Sequence, residues 1–261
     1  MISKNQIKFI RQLEMKKFRS REGLFVAEGP KVVGDLLRRY EAKAIYATDE
    51  WQPTYDIQLP VVERITNEEL RRISFLQHPQ QVLALFPIPK PTVARPNSVG
   101  LLTTECVNST LSTLSLALDG VQDPGNLGTI IRVADWFGID TIYCSEDTAD
   151  AYNPKVVQAT MGSLARVNII YITLESLFDS LPDGFPVYGT LLDGEDIYQQ
   201  PLSSKGIIVM GNEGNGISPE IRKKVNRRLL IPNFRVGDSA ESLNVAIATA
   251  ITCSEFRRRG K

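Results

Sequence analysis

The sequence predicts an α/β protein in which a mostly parallel sheet with helices on both faces follows a smaller α/β domain. Apolar runs of strand length alternate with segments of helical period along most of the 261 residues, as in α/β folds. The segment 87–96 (PIPKPTVARP) contains four prolines, which neither a helix nor a central strand tolerates. A composition of 43% hydrophobic and 23% charged residues fits a chain that buries more than one core. We therefore expect domains at 1–90 and 99–261, joined by a proline-rich linker at 91–98.

Local signals place the elements of the first domain. Ser3 and Gln6 have the spacing of a capping box and predict the start of a first helix. Gly29-Pro30 predicts the start of a second helix, because proline is favoured at the first helical position. Short apolar runs predict strands at 24–28, 44–48, 60–65 and 82–86.

The second domain repeats strand and helix patterns more regularly. Strands are predicted at 114–118, 141–145, 167–172, 186–191, 206–211 and 228–231. Helices are predicted at 127–137, 154–164, 174–181, 219–225 and 242–258. Strands joined by helices of this length form parallel sheets, in which ligands bind beyond the carboxyl ends of the strands.

The sequence contains few cysteines, one histidine and only short apolar runs, which argues against several classes of protein. Cys106, Cys144 and Cys253 are widely separated, so we expect reduced, packed thiols rather than a metal pair or a disulfide framework. His78 is the only histidine, which argues against a metal site and against a Ser-His-Asp triad. The chain has no apolar run of membrane-spanning length, and charges interrupt residues 1–23 where a signal peptide would be apolar. We therefore expect a cytoplasmic protein without a metal or a membrane partner.

The formal net charge of zero hides a basic first segment. Residues 1–40 contain ten Lys or Arg against four Asp or Glu, whereas residues 91–261 contain fifteen basic and nineteen acidic residues. Lys4, Lys8 and Arg11 recur at helical spacing on one side of the first predicted helix. A basic face of this kind is typical of a surface that contacts nucleic-acid phosphates, and equally of a helix face that is only solvated.

Two loops that follow predicted strands have unusual residues. Residues 119–128 (DGVQDPGNLG) follow the first strand of the second domain, and Arg132 lies in the helix beyond them. Residues 211–219 (GNEGNGISP) have the order GxxGxG, which is neither the dinucleotide fingerprint nor a phosphate-binding P-loop. Each loop suits either a ligand that approaches the backbone closely or an ordinary helix cap.

A third loop follows Ile231-Pro232 and leads into the last helix. Ser242 is the expected N-cap of that helix. Asn244 is less expected, because asparagine neither favours a first helical turn nor belongs to an apolar stripe. We expect its side chain to have a specific partner.

The three loops together carry a family signature. The motifs are Asn126-x-Gly128-x-x-x-Arg132, Gly211-x-Glu213-x-x-Gly216-x-Ser218, and Ile231-Pro232 followed by Ser242-Leu243-Asn244-Val245. In this order they resemble the SpoU (TrmH-type) family of RNA ribose 2′-O-methyltransferases, over residues 99–261. The stretches FVAEGPK (25–31) and LQHPQQVLALF (76–86) are similar to the substrate-binding domain often fused ahead of such enzymes.

The sequence departs from the family pattern in two places. The loop 233–241 is longer than the compact family form and inserts Phe234, Arg235 and Asp238. His78 and Gln81 replace an asparagine and a glycine that family members often carry. Neither departure changes a residue that the resemblance implies to be catalytic.

The resemblance implies a deep trefoil knot at the C-terminus, with S-adenosylmethionine held in it by the three loops. It implies a cofactor site formed by Thr190, Leu191, Leu192, Gly211, Asn212, Gly216, Ile231, Ser242 and Leu243. It also implies a homodimer in which Arg132 of one subunit serves the methyl donor bound by the other. The last helix, apolar on nearly every turn from Leu243 to Phe256, is consistent with such an interface.

The catalytic residues that the resemblance implies are Arg132, Asn126, Glu213, Ser242 and Asn244. A guanidinium stays protonated at neutral pH, so we favour Arg132 as a clamp on the neighbouring phosphate and the ribose hydroxyl, with a role as base left open. Asn126 would orient the loop and Arg132, Glu213 would organise the second loop or Arg132, and Ser242 and Asn244 would hold the nucleotide or the loop backbone. Lys4, Lys8, Arg11 and Arg132 are the predicted RNA contacts.

The predicted function is therefore 2′-O-methylation of RNA that uses S-adenosylmethionine. Ribosomal RNA is favoured by the two-domain arrangement, and transfer RNA remains an alternative. Two competing interpretations are an RNA-binding or ribosome-assembly protein without catalysis, and a different nucleotide enzyme.

Overall fold

The computed structural model describes residues 1–56, 59–89, 111–238 and 240–259. The chain forms two compact units, one made of Met1–Lys90 with Asp150–Arg166 and the other of Pro91–Ala149 with Val167–Lys261. The predicted linker at 91–98 and Cys106 lie outside the described residues.

The four strands and two of the helices of residues 1–89 were predicted; the helices Lys16–Glu22 and Asn67–Ile73 were not, so the helix at Pro30 is the third rather than the second. The helices are Lys4–Gln12 (α1), Lys16–Glu22 (α2), Pro30–Leu37 (α3) and Asn67–Ile73 (α4), and the strands are Leu24–Glu28 (β1), Ala44–Ala47 (β2), Val62–Arg64 (β3) and Val82–Pro87 (β4). The capping box is confirmed, because Ser3 Oγ accepts a hydrogen bond from the Gln6 N–H at 3.2 Å and Gln6 Oε1 accepts one from the Ser3 N–H at 2.8 Å. Pro30 opens α3 as predicted.

The elements from residue 111 onward include each predicted strand and helix. The strands are Leu114–Asp119 (β5), Thr141–Cys144 (β6), Asn168–Tyr171 (β7), Val187–Asp196 (β8), Gly206–Gly211 (β9) and Arg227–Leu230 (β10). The helices are Pro124–Trp136 (α5), Pro154–Ala159 (α6), Leu174–Asp179 (α7), Pro219–Arg222 (α8) and Val245–Arg259 (α9). Five boundaries differ from the predicted ones by three residues or more. α5 begins at Pro124 rather than Leu127, capped by the Asp123 side chain, and β8 continues beyond Leu191. α6 ends at Ala159, α8 ends at Arg222 and α9 begins at Val245.

The first unit is a mixed sheet with strand order β1-β4-β2-β3. β4 is antiparallel to both its neighbours, and β3 runs parallel to β2. One face packs Val26, Tyr46 and Leu83 against Ile10 of α1 and Leu70 of α4. α3 packs against β1 and β4. The apolar side of α1 is therefore buried as predicted, and its basic side is left exposed.

The segment 150–166 belongs to the first unit, although in the sequence it lies between the two stretches of the second unit, 91–149 and 167–261. The buried Arg19 holds it, because its guanidinium forms an ion pair with Asp150 and also donates to the Leu13 carbonyl at 2.8 Å. The Phe25 and Tyr152 rings add an aromatic contact with centroids 5.1 Å apart. Arg19 is thus one of the basic residues of the first segment that serves packing rather than a partner.

The second unit contains a parallel sheet with strand order β10-β8-β9-β5-β6-β7. Each adjacent pair among these strands is parallel, which confirms the predicted fold class. On one face, Ala117, Val187 and Val209 pack with Leu177 of α7 and Ile221 of α8.

The other face of this sheet carries α5 and α9. These two helices pack on each other, and they contact β6 and β9 respectively. The rings of Tyr188 and Phe256 meet edge to face with centroids 4.8 Å apart. Helices therefore cover both faces, as predicted. The trefoil knot stays a prediction of the resemblance.

The structure also bears on the expectations for the cysteines and for membrane-spanning helices. Cys144 and Cys253 are buried free thiols, and burial raises the pKa of the Cys253 thiol to about 12, so both behave as packed apolar side chains. Within the described part of the chain, no helix has the length and apolar character needed to cross a membrane.

Candidate active site

A cleft of about 600 Å³ opens at the carboxyl ends of β8, β9 and β10. It is bounded by the residues after Gly189 in β8, by the glycine loop after β9, and by the segment that precedes α9. All nine residues predicted to hold the cofactor line it: Thr190, Leu191, Leu192, Gly211, Asn212, Gly216, Ile231, Ser242 and Leu243. Residues as far apart in sequence as Thr190 and Leu243 are thus brought to one place.

A bulge in β8 carries the first wall of the cleft. Tyr188 and Gly189 pair with Arg227 and Arg228 of β10, but the next β10 residue, Leu229, pairs with Glu195. The residues between Gly189 and Glu195 have no paired residue in β10, and four of them, Thr190 to Asp193, line the cleft. The expectation that the strand simply ends near Leu191 was wrong.

The lining of the cleft fits S-adenosylmethionine. Leu192 and Leu243 remain 72% and 50% exposed although they line a concave surface, which suits an apolar ligand surface such as an adenine ring. Thr190 Oγ1 donates to the Val209 carbonyl at 3.2 Å, which leaves its oxygen lone pairs available. The exposed Glu241 also lines the cleft, and its carboxylate is suited to a cationic group. Asp193, which lines the cleft as well, is paired with Arg222 and Arg228.

The glycine loop closes on itself. Asn212 and Gly216 exchange two backbone hydrogen bonds of 2.9 Å, and Asn212 Oδ1 accepts from the Gly214 N–H at 2.9 Å. A Cβ atom on Gly211 would lie 2.2 Å from the carbonyl carbon of Gly216. The close approach of the loop backbone therefore requires a glycine at position 211.

Glu213 connects the glycine loop to the start of α5. Its Oε1 accepts from the Asp123 N–H at 3.1 Å and from Asn126 Nδ2 at 3.0 Å, and its Oε2 accepts from the Gln122 N–H at 3.1 Å. Asn126 Oδ1 in turn accepts from Asn244 Nδ2 at 2.9 Å. One carboxylate and two amides therefore tie all three motif loops together, and we call Glu213, Asn126 and Asn244 the loop-linking triad.

The hydrogen bonds set the ionisation of Glu213. Partial burial raises the pKa of its carboxyl, but the hydrogen bonds from Asn126 and from backbone N–H groups, including those of Gln122 and Asp123, outweigh burial and lower the pKa below its ordinary value. The carboxylate is thus charged at neutral pH and acts as an acceptor. It makes no hydrogen bond or ion pair with Arg132 among the described residues, so the geometry supports the predicted role of organising the second loop.

The last helix is capped by Asn244 and not by Ser242. Asn244 Oδ1 accepts from the Ala246 N–H at 2.9 Å, which is the geometry of an N-cap. The expected cap at Ser242 was therefore wrong, and Ser242 lies in the preceding segment, where it lines the cleft. The specific partner expected for Asn244 is Asn126.

Arg132 is separate from the other predicted catalytic residues. It lies more than two turns into α5 rather than about one turn, because that helix begins at Pro124. Its side chain is exposed and makes no hydrogen bond or ion pair with any residue that the structure describes. Arg132 is not among the described residues that line the cleft, and Asn126 bonds to Glu213 and Asn244 rather than to it.

The motif analysis missed a residue that joins two loops. Asp119, the last residue of β5, accepts a hydrogen bond from the Ser218 N–H at 2.7 Å. In the sheet register Asp119 lies opposite Gly211, so it stands where the first and second loops begin. A carboxylate directly after a buried strand was visible in the sequence and could have identified it.

Comparison with known proteins agrees with this geometry. The model of the SpoU rRNA methylase family matches residues 113–254, which is more than half of the chain. The chain belongs to the SpoU rRNA methylase family. It is 32% identical to the 23S rRNA (guanosine(2553)-2′-O)-methyltransferase RlmP of Bacillus subtilis, over 98% of this chain and 97% of that protein.

Two solved structures resemble this SpoU chain over nearly its whole length. A structure from Porphyromonas gingivalis assigned to the TrmH family of RNA methyltransferases has a TM-score of 0.82 and 42% identity, covering 100% of both chains. The AdoMet-bound rRNA methyltransferase of Sinorhizobium meliloti has a TM-score of 0.80 and 29% identity, covering 99% of this chain and 97% of that one. AdoMet is S-adenosylmethionine, so that relative binds the cofactor predicted for this cleft.

The first unit also has a match. The model of the MRM3-like substrate binding domain covers residues 4–84 of this SpoU protein. Of the predicted RNA contacts in it, Lys4 and Lys8 have exposed side chains on α1. The Arg11 guanidinium instead donates to the Ser74 carbonyl and lies over the Phe75 ring, 4.7 Å from its centroid. Arg11 therefore has a packing role that the charge pattern did not reveal.

Proposed function

We propose that this protein transfers a methyl group from S-adenosylmethionine to a ribose 2′-hydroxyl of ribosomal RNA. The observation that carries the proposal is the cleft lined by all nine predicted cofactor residues, with the loop-linking triad joining the loops around it. Membership of the SpoU family and the similarity to RlmP support the reaction type and the ribosomal substrate. We also propose residues 1–90 as the substrate-binding domain and 99–261 as the catalytic domain.

Residues of the cleft would hold the cofactor. When bound, S-adenosylmethionine supplies an activated methyl group on a sulfonium. The apolar side chains of Leu192 and Leu243 would cover the adenine, and backbone groups of the glycine loop would bond its edge and the ribose. The residues of this site supply binding and orientation, because methyl transfer depends on holding the two reacting atoms in line at about 3 to 3.5 Å.

Arg132 would act on the RNA. Its guanidinium, which pairs with no other residue in the described ranges, carries a permanent charge and a planar set of donors. These suit the phosphate beside the reacting ribose. A donor to the ribose oxygen lowers the cost of the negative charge that develops there as its proton leaves to the phosphate or to water. Ser242 lies in the cleft lining and would hold the nucleotide.

We infer that the working form is a homodimer with Arg132 contributed across the interface. Arg132 is exposed, and it is not among the described residues that line the cleft of its own chain. Trp136, four residues further along α5, is 85% exposed, and Ile247 on the adjoining α9 is 52% exposed. Large apolar side chains left open on two packed helices are typical of a surface that another subunit covers.

Methyl transfer with tritiated S-adenosylmethionine tests the proposed reaction. We expect label to enter in-vitro transcribed large-subunit ribosomal RNA at the 2′-oxygen of one nucleotide, and not transfer RNA. The rate should be unaffected by a chelator, because within the described residues no three His, Cys, Asp or Glu side chains group to hold a metal. Labelled transfer RNA would reassign the substrate, and RNA binding without transfer would indicate the non-catalytic alternative.

The basic face of α1 gives a second prediction. Replacing Lys4 and Lys8 by alanine should lower the slope of log K against log salt for ribosomal RNA by about 1.4 to 1.8, if each lysine meets one phosphate. Arg11 is left in place, because its substitution would also remove the contacts with Ser74 and Phe75. The matched control replaces the exposed Lys155 and Lys205, which changes the net charge equally. An unchanged slope in the Lys4/Lys8 variant would mean that this face is only solvated.

A further inference from the structure

The loop between β10 and α9 presents two large apolar side chains to solvent. Phe234 is 84% exposed and Val236 is 98% exposed, and Arg235 stands between them. An Asx turn shapes this part of the loop, in which Asn233 Oδ1 accepts from the Arg235 N–H at 2.9 Å. The loop is the one that is longer than the family pattern, and neither the cofactor site nor the loop-linking triad uses these side chains.

The loop is attached to the cleft at both ends. Ile231 before it and Ser242 and Leu243 after it all line the cleft. Phe234 follows Ile231 by three residues, so its Cα lies at most about 11 Å from that of a cleft-lining residue. An aromatic ring at this distance is within reach of the nucleotides that flank a ribose held at the cleft.

The charge on the loop indicates the kind of partner. The guanidinium of Arg235 has no hydrogen bond or ion pair with any residue in the described ranges. An exposed aromatic ring beside a free guanidinium is suited to single-stranded RNA, whose bases stack on aromatic faces and whose phosphates pair with arginine. A purely apolar partner would leave Arg235 unpaired at the contact.

We propose that Phe234 stacks on a base next to the methylated nucleotide and that Arg235 contacts the adjoining phosphate. This assignment rests on the proposed function, because it takes the RNA to be bound with its reacting ribose at the cleft. The stack would hold the neighbouring base out of the RNA helix and so expose the target ribose. Phe234 is then a positioning residue for the substrate, not a catalytic one.

The test compares four single variants of the full chain with the wild type: Phe234→Ala, Phe234→Leu, Phe234→Trp and, as the matched control, Val236→Ala. Filter binding measures affinity for in-vitro transcribed large-subunit ribosomal RNA, and calorimetry without RNA measures affinity for S-adenosylmethionine. We expect Phe234→Ala and Phe234→Leu to weaken RNA affinity about five- to a hundredfold, the size of one base–aromatic stack, and Phe234→Trp to restore it. Val236→Ala should leave RNA affinity within about twofold, because valine has no aromatic face.

The role of Arg235 is measured in the same way. Arg235→Ala should lower the salt slope of RNA binding by about 0.7, the value for one phosphate on a single strand.

Three results would contradict the proposed contact of Phe234 with a base. If Phe234→Leu bound RNA with wild-type affinity, the stack would be overturned. If the Phe234 variants bound S-adenosylmethionine more weakly in the absence of RNA, the proposed stack would be overturned, and Phe234 would instead cover the cofactor. If these variants had a changed oligomeric state, the stack would also be overturned, and Phe234 would instead contact another subunit.

The proposed function and the stack fail in different ways. If the wild-type chain transferred no methyl group, the proposed function would be overturned, and the RNA affinities of the Phe234 variants would still support or overturn the base contact.

Discussion

Replacing Arg132 by alanine is expected to lower the rate of methyl transfer about a hundred- to a thousandfold, the usual loss when one donor to the transition state is removed. The affinity for S-adenosylmethionine should stay within about threefold, because Arg132 is not among the described residues that line its own cleft. Single-turnover transfer to ribosomal RNA and calorimetry with the cofactor measure the two quantities. Arg132→Lys keeps the charge but loses the planar fork, so it should recover only part of the rate.

Mixed dimers test on which chain Arg132 acts. Leu243→Arg adds charge and bulk at a half-exposed position of the cleft, and should weaken S-adenosylmethionine binding without disturbing the core. It is preferable to Gly211→Val, which would force apart the backbone of the glycine loop. A heterodimer of Arg132→Ala with Leu243→Arg contains one site with both groups intact if Arg132 acts across the interface, so activity should return. No recovery in a verified heterodimer, or full activity in a monomer, would place Arg132 in the site of its own chain.

Replacing Glu213 by glutamine should slow methyl transfer about ten- to a hundredfold and weaken cofactor binding. The amide keeps the shape of the side chain, but its NH₂ group replaces one of the two carboxylate oxygens. That NH₂ group would face either the N–H of Gln122 or the N–H donors of Asp123 and Asn126, which would lose their acceptor. Misplacement of a binding loop by about an ångström is enough for such a loss. Glu241→Gln is the matched control, because Glu241 also lines the cleft but is not a member of the loop-linking triad. Equal effects of the two substitutions would show that only the charge of the cleft matters.

The pH dependence of stability checks the same interaction. The folded-state pKa of Glu213 is lowered, so its contribution to the free energy of unfolding is fully present above the ordinary carboxyl pKa of about 4.3 and is lost as the pH falls through the lowered value. Denaturant unfolding of wild type and Glu213→Gln should therefore differ at pH 7 and converge in acid. A difference that stayed constant down to pH 3 would mean that the ionised carboxylate is not what holds the loops.

Most elements of the fold could be predicted because their signals are local. The capping box of α1 lies within four residues, and the proline that opens α3 acts on its own turn. The same locality explains the errors. Pro124 can open a helix, but whether α5 begins there or at Leu127 depends on the Asp123 side chain, which also could have capped a turn. Ser242 and Asn244 are both favoured as N-cap residues. In the structure Asn244 is the cap, and its side chain also bonds to Asn126, which is far away in sequence.

The sequence by itself determined the alternation of strands and helices, the three motif loops and the identities of the residues around the cleft, because periodicity, caps and motif spacing are properties of neighbouring residues. Only the tertiary structure decided how those residues are used. The register between β8 and β10 left the cleft-lining residues Thr190 to Asp193 without a partner in β10. The hydrogen bonds of Glu213 joined loops that lie about ninety residues apart. The ion pair of Arg19 with Asp150 joins the segment 150–166 to the rest of the first unit. Each of these outcomes depends on a contact between distant parts of the chain, which forms only when the sheet and its loops are assembled.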